Sequence, residues 1–332
     1  MANQMKLPVV GLLSLLAVGA VAQTATTDPV GFVSYNFTQG SQYSGIPMVN
    51  APSFSGMVAG ISNTALTVSG TGLNLGAALT AGKAYYVEIV ADPNNAGAYI
   101  GDRLDVDTAA TIAAANATIV IKTSAENTIS GNLPAALVGV KFVVRAHVTL
   151  AQVSSSSTGL FLAGDQIVIR VNGASNATIT FNGTGWRQGI TNADATVVYP
   201  GVGYLIKRAS ATPSTGVFVG NVRTNNFAQV IRAGEQILAE GFPVDSAPHP
   251  TDVTVASRLF TNDIGTTFAN GDRLFAYNGS NFTLFTYSTG TNRWAAGMTN
   301  GNTLKIFNAT KAVLLKTAAA NVNYIQIRPF PL

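Results

Sequence analysis

Gly164-Asp165-Gln166-Ile167 and Gly271-Asp272-Arg273-Leu274 open two stretches of the chain that run in parallel. Each opening leads to a tryptophan, with Trp186 lying 22 positions after Gly164 and Trp294 lying 23 positions after Gly271. Each tryptophan is followed by an apolar strand that ends in a lysine. Self-similarity at a nearly constant spacing predicts one structural unit that is used more than once.

Short β-forming runs fill most of the sequence, as at 141–148 and 166–171, and clusters of Gly, Asn, Ser and Thr separate them. Strands of this length at intervals of about ten residues are typical of β-sandwiches and barrels. We therefore predict an all-β fold of tandem, related sandwich-like or barrel-like modules. Only 108–117 and 134–137 read as short helical turns, the second with a proline at its start.

The first third of the chain reads as a divergent relative of the other two modules. Its segments 85–89 and 97–102 resemble segments that start at 204 and 216, although it contains no tryptophan. Units of roughly 100 residues can each bury a core of their own. The predicted modules are 23–130, 131–228 and 229–332.

Residues 1–22 have the features of a secretory signal peptide. Lys6 precedes an uncharged apolar run at 9–21, and Ala20-Val21-Ala22 is a small-residue cleavage site. We predict a mature chain that begins at Gln23, is secreted, periplasmic or held at the cell surface, and has no membrane span. An uncleaved amino-terminal anchor is the alternative, and the cleavage site disfavours it.

The composition excludes several kinds of chemistry. The chain has no cysteine, so disulfides, thiolate nucleophiles and zinc–cysteine sites are ruled out. Only 10% of the residues are charged, and the net charge is +4. No cluster of Lys and Arg occurs, so nucleic acid is not a predicted partner.

Several short motifs together resemble one family of proteins. They lie at 28–33, 84–89, 164–167 and 241–245, spread over nearly the whole mature chain. In these motifs the sequence is similar to a family of uncharacterised exported bacterial proteins that occur as multiple paralogues. The resemblance implies secretion and assigns no activity.

Aromatic residues near the end of the chain are the candidates for ligand binding. An exposed aromatic face could bind a polysaccharide or a neighbouring subunit, whereas buried tryptophans and cross-strand aromatic pairs would stabilise the modules themselves. The latter interpretation is favoured. The candidate residues are Tyr277, Phe282, Phe285, Tyr287 and Trp294.

The densest group of carboxylates is Asp102, Asp105 and Asp107. Three aspartates could begin an exported calcium site, although no known calcium-loop spacing is present and solvated strand-edge acids are the simpler interpretation. No cofactor other than calcium is suggested by the sequence. Asp165 and Asp272 each follow a glycine before a strand, where aspartate commonly accepts hydrogen bonds from its own turn.

No catalytic constellation emerges from the sequence. His147 and His249 are the only histidines, and no serine lies in a nucleophile elbow. We therefore predict no enzyme, and a secreted structural or surface protein that acts through self-association or surface interaction. A glycan-binding protein is the first alternative. A carbohydrate-active hydrolase, which would need two facing carboxylates, is the second.

Overall fold

The computed structural model describes most of the chain after residue 28 and shows an all-β protein. The predicted signal peptide, the predicted start at Gln23 and His249 lie outside the described residues. The described residues are 29–70, 74–114, 117–171, 175–245, 268–277, 281–291, 293–300, 308–318, 322–326 and 328.

The strands are short and follow one another closely. Those of the first half are β1 (Val30–Phe37), β2 (Gly40–Ser44), β3 (Pro52–Ser62), β4 (Ala65–Val68), β5 (Tyr85–Ala91), β6 (Arg103–Val106), β7 (Thr118–Val120), β8 (Lys141–Ala146), β9 (Val148–Thr149), β10 (Gln166–Val171) and β11 (Ser175–Phe181). Those of the second half are β12 (Trp186–Gln188), β13 (Thr191–Asn192), β14 (Val197–Val198), β15 (Tyr204–Arg208), β16 (Ser214–Asn221), β17 (Phe227–Ile231), β18 (Gly234–Ala239), β19 (Arg273–Tyr277), β20 (Phe282–Ser288), β21 (Arg293–Ala296), β22 (Thr299–Asn300), β23 (Ala312–Thr317) and β24 (Val322–Gln326).

Three six-stranded antiparallel sheets organise these strands, and we name each after one of its residues. The Glu88 sheet has the order β6-β5-β8-β3-β4-β7, the Trp186 sheet β13-β12-β11-β10-β15-β2, and the Trp294 sheet β22-β21-β20-β19-β23-β18. Each sheet covers its own cluster of buried apolar side chains. Two-stranded ribbons, β1–β16 and β17–β24, accompany the last two sheets.

The Trp186 sheet is discontinuous in sequence. Its edge strand β2 pairs with β15, so Ser44 lies opposite Tyr204. All six strands of the Glu88 sheet fall between these two partners, from Pro52 to Ala146. The predicted boundary near 130 is therefore wrong: β8 follows it yet pairs with β3 and β5, while β1 and β2 precede it yet belong with the second module.

The Trp186 and Trp294 sheets have the same strand order and the same kind of ribbon. In the first, β1 and β2 come before the other strands of the sheet in sequence, and β16 pairs with β1 to form the ribbon. In the second, β17 and β18 come first, and β24 pairs with β17. Gly40 and Gly234 begin β2 and β18, and both have a positive φ, 103° and 95°. That conformation is open to glycine and strained for other residues, so the same turn joins ribbon to sheet in each.

The Glu88 sheet does not share this arrangement. Its strand β5 lies between β6 and β8, whereas β15 lies between β10 and β2. The segment 97–101 forms turns, while 216–221 lies within strand β16. The predicted correspondence of the first third with the later modules is therefore wrong. Similar β-forming composition produced the resemblance without a common topology.

Helices are few among the described residues. α1 (Leu75–Ala78) and α3 (Leu150–Ser155) were not predicted, whereas α2 (Thr108–Ala113) and a one-turn 3-10 helix (Ala135–Leu137) lie within the predicted segments. α3 begins with a capping box, in which Thr149 and Gln152 satisfy each other's backbone N–H groups. No helix in the described part has both the length and the hydropathy needed to cross a bilayer.

Candidate functional site

Trp186 is a core residue. Its side chain is fully buried, and its indole Nε1 donates a hydrogen bond of 3.0 Å to the carbonyl oxygen of Leu150. The rings of Phe161 and Phe181 lie 4.9 and 5.1 Å away. The donated bond satisfies the one polar atom of a large apolar side chain, which is why an indole can fill this interior.

Trp294 has matching surroundings. Its side chain is also buried, and the rings of Phe268 and Tyr287 lie 5.1 and 5.2 Å away. A phenylalanine before the sheet and an aromatic residue on the neighbouring strand thus pack against the indole in both sheets. The favoured interpretation of the two tryptophans as core residues agrees with this burial, and neither is positioned to stack on an external sugar.

The aromatic candidates divide between two faces of the Trp294 sheet. Phe285 and Tyr287 are buried with Trp294, because odd-numbered residues of β20 point into the core. Phe282 points the other way and is 51% exposed. Tyr277, which lies opposite Phe282 on β19, is half-buried. The five candidates therefore do not form one ligand face, and three of them are core residues.

An aromatic row remains at the surface where the two related sheets meet. The Phe282 ring lies 4.9 Å from the Tyr277 ring and 5.7 Å from the Tyr43 ring, which belongs to β2 of the Trp186 sheet. Tyr43 also lines a groove of about 200 Å³. Polar side chains in that groove include those of Arg170, Asn176, Glu235 and Gln236. Aromatic rings beside hydrogen-bonding groups are the usual components of a small-molecule site.

The three clustered aspartates have separate roles. Asp105 Oδ1 lies 3.0 Å from Nε2 of His147, and Asp107 caps α2 by accepting a hydrogen bond from Ala110 N. Asp102 is buried. No group of three or more His, Asp or Glu side chains suited to a metal ion occurs among the described residues. The structure thus does not bring these three carboxylates together as calcium ligands.

Asp165 and Asp272 are turn residues, as predicted. Asp165 Oδ2 accepts a hydrogen bond of 2.9 Å from Leu162 N, and Asp272 Oδ2 accepts one of 2.8 Å from Ala269 N. Each bond spans three residues within the turn that leads into the strand. Asp165 also forms a buried ion pair of 3.0 Å with Arg208.

A buried charge cluster, which the sequence did not predict, joins the sheets. Glu88, on β5, accepts a hydrogen bond of 3.1 Å from Arg145 Nε on β8 and one of 2.8 Å from Arg223 Nε. Arg223 follows β16 and also donates to the carbonyl oxygen of Gly241 at 2.9 Å. Phe227, on β17, packs under Arg223, whose guanidinium carbon lies 4.4 Å from the ring centroid. A charged residue among apolar neighbours inside a strand, Glu88 in β5 and Arg145 in β8, was the signal for this cluster.

The electrostatics of the cluster keep Glu88 ionised. Burial by itself would raise the pKa of Glu88, but Arg223, Arg145 and Arg103 together hold it below its ordinary value, helped by a hydrogen bond from Asn225. Every charge here has a partner on another segment of the chain. The cluster therefore connects the Glu88 sheet with both related sheets and leaves no carboxylate available as an acid or base.

His147 and Asp105 form a second buried pair, beside a cavity of about 400 Å³. The imidazole packs between the rings of Tyr86 and Tyr199, at 4.7 and 5.1 Å. Burial would raise the pKa of Asp105, but its hydrogen bond to His147 and nearby positive charge lower it. The other ring nitrogen, Nδ1, is buried and has no hydrogen-bond partner within the described residues. A His–Asp pair orients a base for catalysis only where the second nitrogen reaches a nucleophile or substrate.

The chain matches no protein-family model, and neither the curated proteins nor the solved structures contain a match to it. The resemblance to exported bacterial proteins consequently stays a prediction.

Proposed function

We propose that this protein is an exported structural protein that acts through self-association or surface interaction, without catalysis. One observation carries the proposal: the protein buries many of its few charges. Twelve Asp, Glu and Arg side chains of the described residues are buried, in a chain with only 19 basic and 15 acidic residues in all. The buried charges hold segments together, and the outer surface depends on uncharged polar residues.

A surface with so few charges favours contact between copies. Repulsion between like-charged proteins keeps many soluble chains apart, and this protein has little of it. We further propose that the Trp186 and Trp294 sheets are copies of one unit and that the mature chain begins at Gln23. The first proposal is supported by the parallel motifs of the sequence and by the shared strand order of the two sheets. The second is supported by the apolar run at 9–21 and the small-residue site Ala20-Val21-Ala22.

The mature chain is expected to associate at micromolar and higher concentrations. Light scattering and negative-stain microscopy over a concentration series measure this. Because few charges are involved, association should persist from about 0.1 M to about 1 M salt, where the screening length shrinks from about 10 Å to about 3 Å. A strictly monomeric chain at high concentration would contradict the proposal.

Glycan binding is the second candidate function, and the aromatic row of Tyr43, Tyr277 and Phe282 favours it. Phe282 offers a half-exposed ring next to a groove with amide and carboxylate groups. A glycan that stacks on this ring would use the groove for its hydroxyl groups.

Phe282→Ala is expected to weaken any such binding by about tenfold or more, because exposed aromatic anchors contribute about 2 kcal/mol or more to binding. A glycan array followed by titration calorimetry measures it. Met298→Ala is the matched control, since Met298 is another exposed apolar side chain of the same sheet, on the turn between β21 and β22. Binding that is equal in both variants, or absent from the array, would remove this candidate.

A further inference from the structure

The ribbon strand β1 has one edge that no other strand occupies in the described part of the chain. Its partner is β16, in which Asn221 bonds through both backbone groups to Val49, at 2.8 and 3.0 Å. Asn221 therefore points its N–H and C=O away from β1. Hydrogen-bonded and non-hydrogen-bonded pairs alternate along an antiparallel ladder, so every second residue of β1 directs its backbone groups to the free edge. These residues are Val30, Phe32, Ser34 and Asn36.

A second contact supports this register. Val217 lies opposite Ser34, and its N–H donates to Ser157 Oγ at 2.9 Å, away from β1. The backbone groups of Ser34 consequently face outward as well. No backbone hydrogen bond engages the outward-facing N–H groups of Phe32, Ser34 or Asn36 within the described residues.

The same residues expose their side chains, and much of that surface is apolar. Phe32 is 69% exposed and Val219, directly opposite on β16, is 57% exposed; Val30 and Val217 extend the patch. The eight residues of β1 include no charge and no proline. Natural proteins usually protect a free edge with such residues, because an unprotected edge pairs with other chains.

The free edge borders a groove with a volume of about 450 Å³. All six consecutive residues from 32 to 37 line this groove. Successive side chains of a strand point to opposite faces, so an unbroken run can line one groove only along the strand edge. Residues 42–44 and 308–311 form the opposite wall.

In the ribbon of the Trp294 sheet, β17 takes the place of β1, and its outer edge is covered. Ala228 N donates to the carbonyl oxygen of Gly101 at 3.0 Å, and Arg103 Nε donates to the carbonyl oxygen of Ala228 at 3.1 Å. The Glu88 sheet thus supplies the partner for the outer edge of β17. The equivalent edge of β1 receives no such partner from the described residues of its own chain.

We propose that the free edge of β1 pairs with the β1 edge of a second copy of this chain, antiparallel about a two-fold axis. This inference rests on the proposed self-association and names its surface. Two identical edges satisfy each other's outward N–H and C=O groups, and they join two ribbons into one four-stranded sheet. A closed two-fold pairing also removes both free edges at once, and no charge on β1 opposes it.

Ser34→Pro tests the pairing. Proline removes the outward N–H of Ser34 but leaves the inward bonds between β1 and β16, and edge strands tolerate proline at such positions. We expect the dissociation constant of the dimer, measured by light scattering, to rise by about tenfold or more. Ser34→Ala is the matched control, because it keeps the backbone N–H and should associate as the unchanged chain does. Circular dichroism checks the folding of both variants.

Single cysteines provide a second test that does not depend on proline, since the chain has no cysteine of its own. Variants with cysteine in place of Phe32, Ser34 or Asn36 are oxidised and examined for linked dimers. At least one should cross-link, because residues near a two-fold axis approach within the roughly 4.4–6.8 Å between Cα atoms that a disulfide requires. Ile190→Cys, on a fully exposed turn, is the control and should remain unlinked.

The outcomes separate this inference from the proposed function. Association that survives Ser34→Pro, with no cross-link from β1, overturns strand pairing and leaves self-association standing. A chain that stays monomeric overturns both. A monomer whose Ser34 amide is protected from hydrogen exchange would overturn pairing between copies and assign the edge to another segment of the same chain.

Discussion

Glu88→Ala is expected to lower the free energy of unfolding by about 3–5 kcal/mol, the cost of leaving buried charges without their counter-ion. The glutamate is fully buried and accepts hydrogen bonds from Arg145 and Arg223. Without it, two buried guanidinium groups face each other with no carboxylate between them. Urea denaturation followed by circular dichroism measures the change.

The exposed ion pair between Glu235 and Lys316 provides the control. Its nitrogen–oxygen distance of 3.0 Å falls between the 2.8 and 3.1 Å of the cluster, but more than half of each side chain is exposed. Glu235→Ala should change the stability by about 1 kcal/mol or less, since water replaces the lost partner. Equal effects from the two substitutions would show that the Glu88 cluster does not hold the sheets together.

The Glu88 cluster also predicts that the free energy of unfolding decreases as the pH falls into the acid range. The pKa of Glu88 is lower in the folded chain than its ordinary value of 4.5. The stability due to its ionised form is therefore complete above that value and is lost as the pH falls toward the folded pKa. Glu88→Gln should flatten this part of the stability profile, and an unchanged profile would contradict the assignment.

Trp186→Ala is expected to lower the free energy of unfolding by about 3–5 kcal/mol, as for other fully buried aromatic residues. The substitution leaves a cavity between Phe161 and Phe181, and it removes the donor for the carbonyl oxygen of Leu150. Guanidinium denaturation measures the loss. A stability within about 0.5 kcal/mol of the unchanged chain would contradict the core role, because surface substitutions fall in that range.

Tryptophan fluorescence can follow the unfolding of one sheet at a time, because the chain has only two tryptophans. In Trp186→Ala, all indole emission comes from Trp294 and reports on the other related sheet. Trp294→Ala is the reciprocal variant, with Trp186 as the reporter. Trp186→Phe should be milder than Trp186→Ala, because the smaller ring refills much of the cavity and only the hydrogen bond is lost.

The sequence predicted what depends on local pattern. Gly164-Asp165 and Gly271-Asp272 sit at turns that need a positive φ and a hydrogen-bonding side chain, and both are visible in short motifs. The alternation of side chains along β20, which puts Phe282 on the face opposite Phe285, is likewise a property of the local strand. Such features require only the neighbours along the chain.

What the sequence did not predict depends on distant partners. The pairing of Ser44 with Tyr204 and the joining of Glu88 to Arg223 link segments that no local period connects. The surface aromatic row needed Tyr43, which lies far from Phe282 in the sequence. The free edge of β1 depends on which strands lie beside it in the folded chain, and no local pattern of the sequence contains that information.

The interrupted Trp186 sheet also imposes an order on folding. The Glu88 sheet has all its strands once the ribosome has added Ala146, whereas β2 has no partner until β15 has been made. Pairings between such remote segments form slowly, because a long stretch of chain must be closed into a loop first. During that delay the uncharged β1 is available to other nascent chains, so efficient production of this protein would benefit from a chaperone that holds its amino-terminal strands apart.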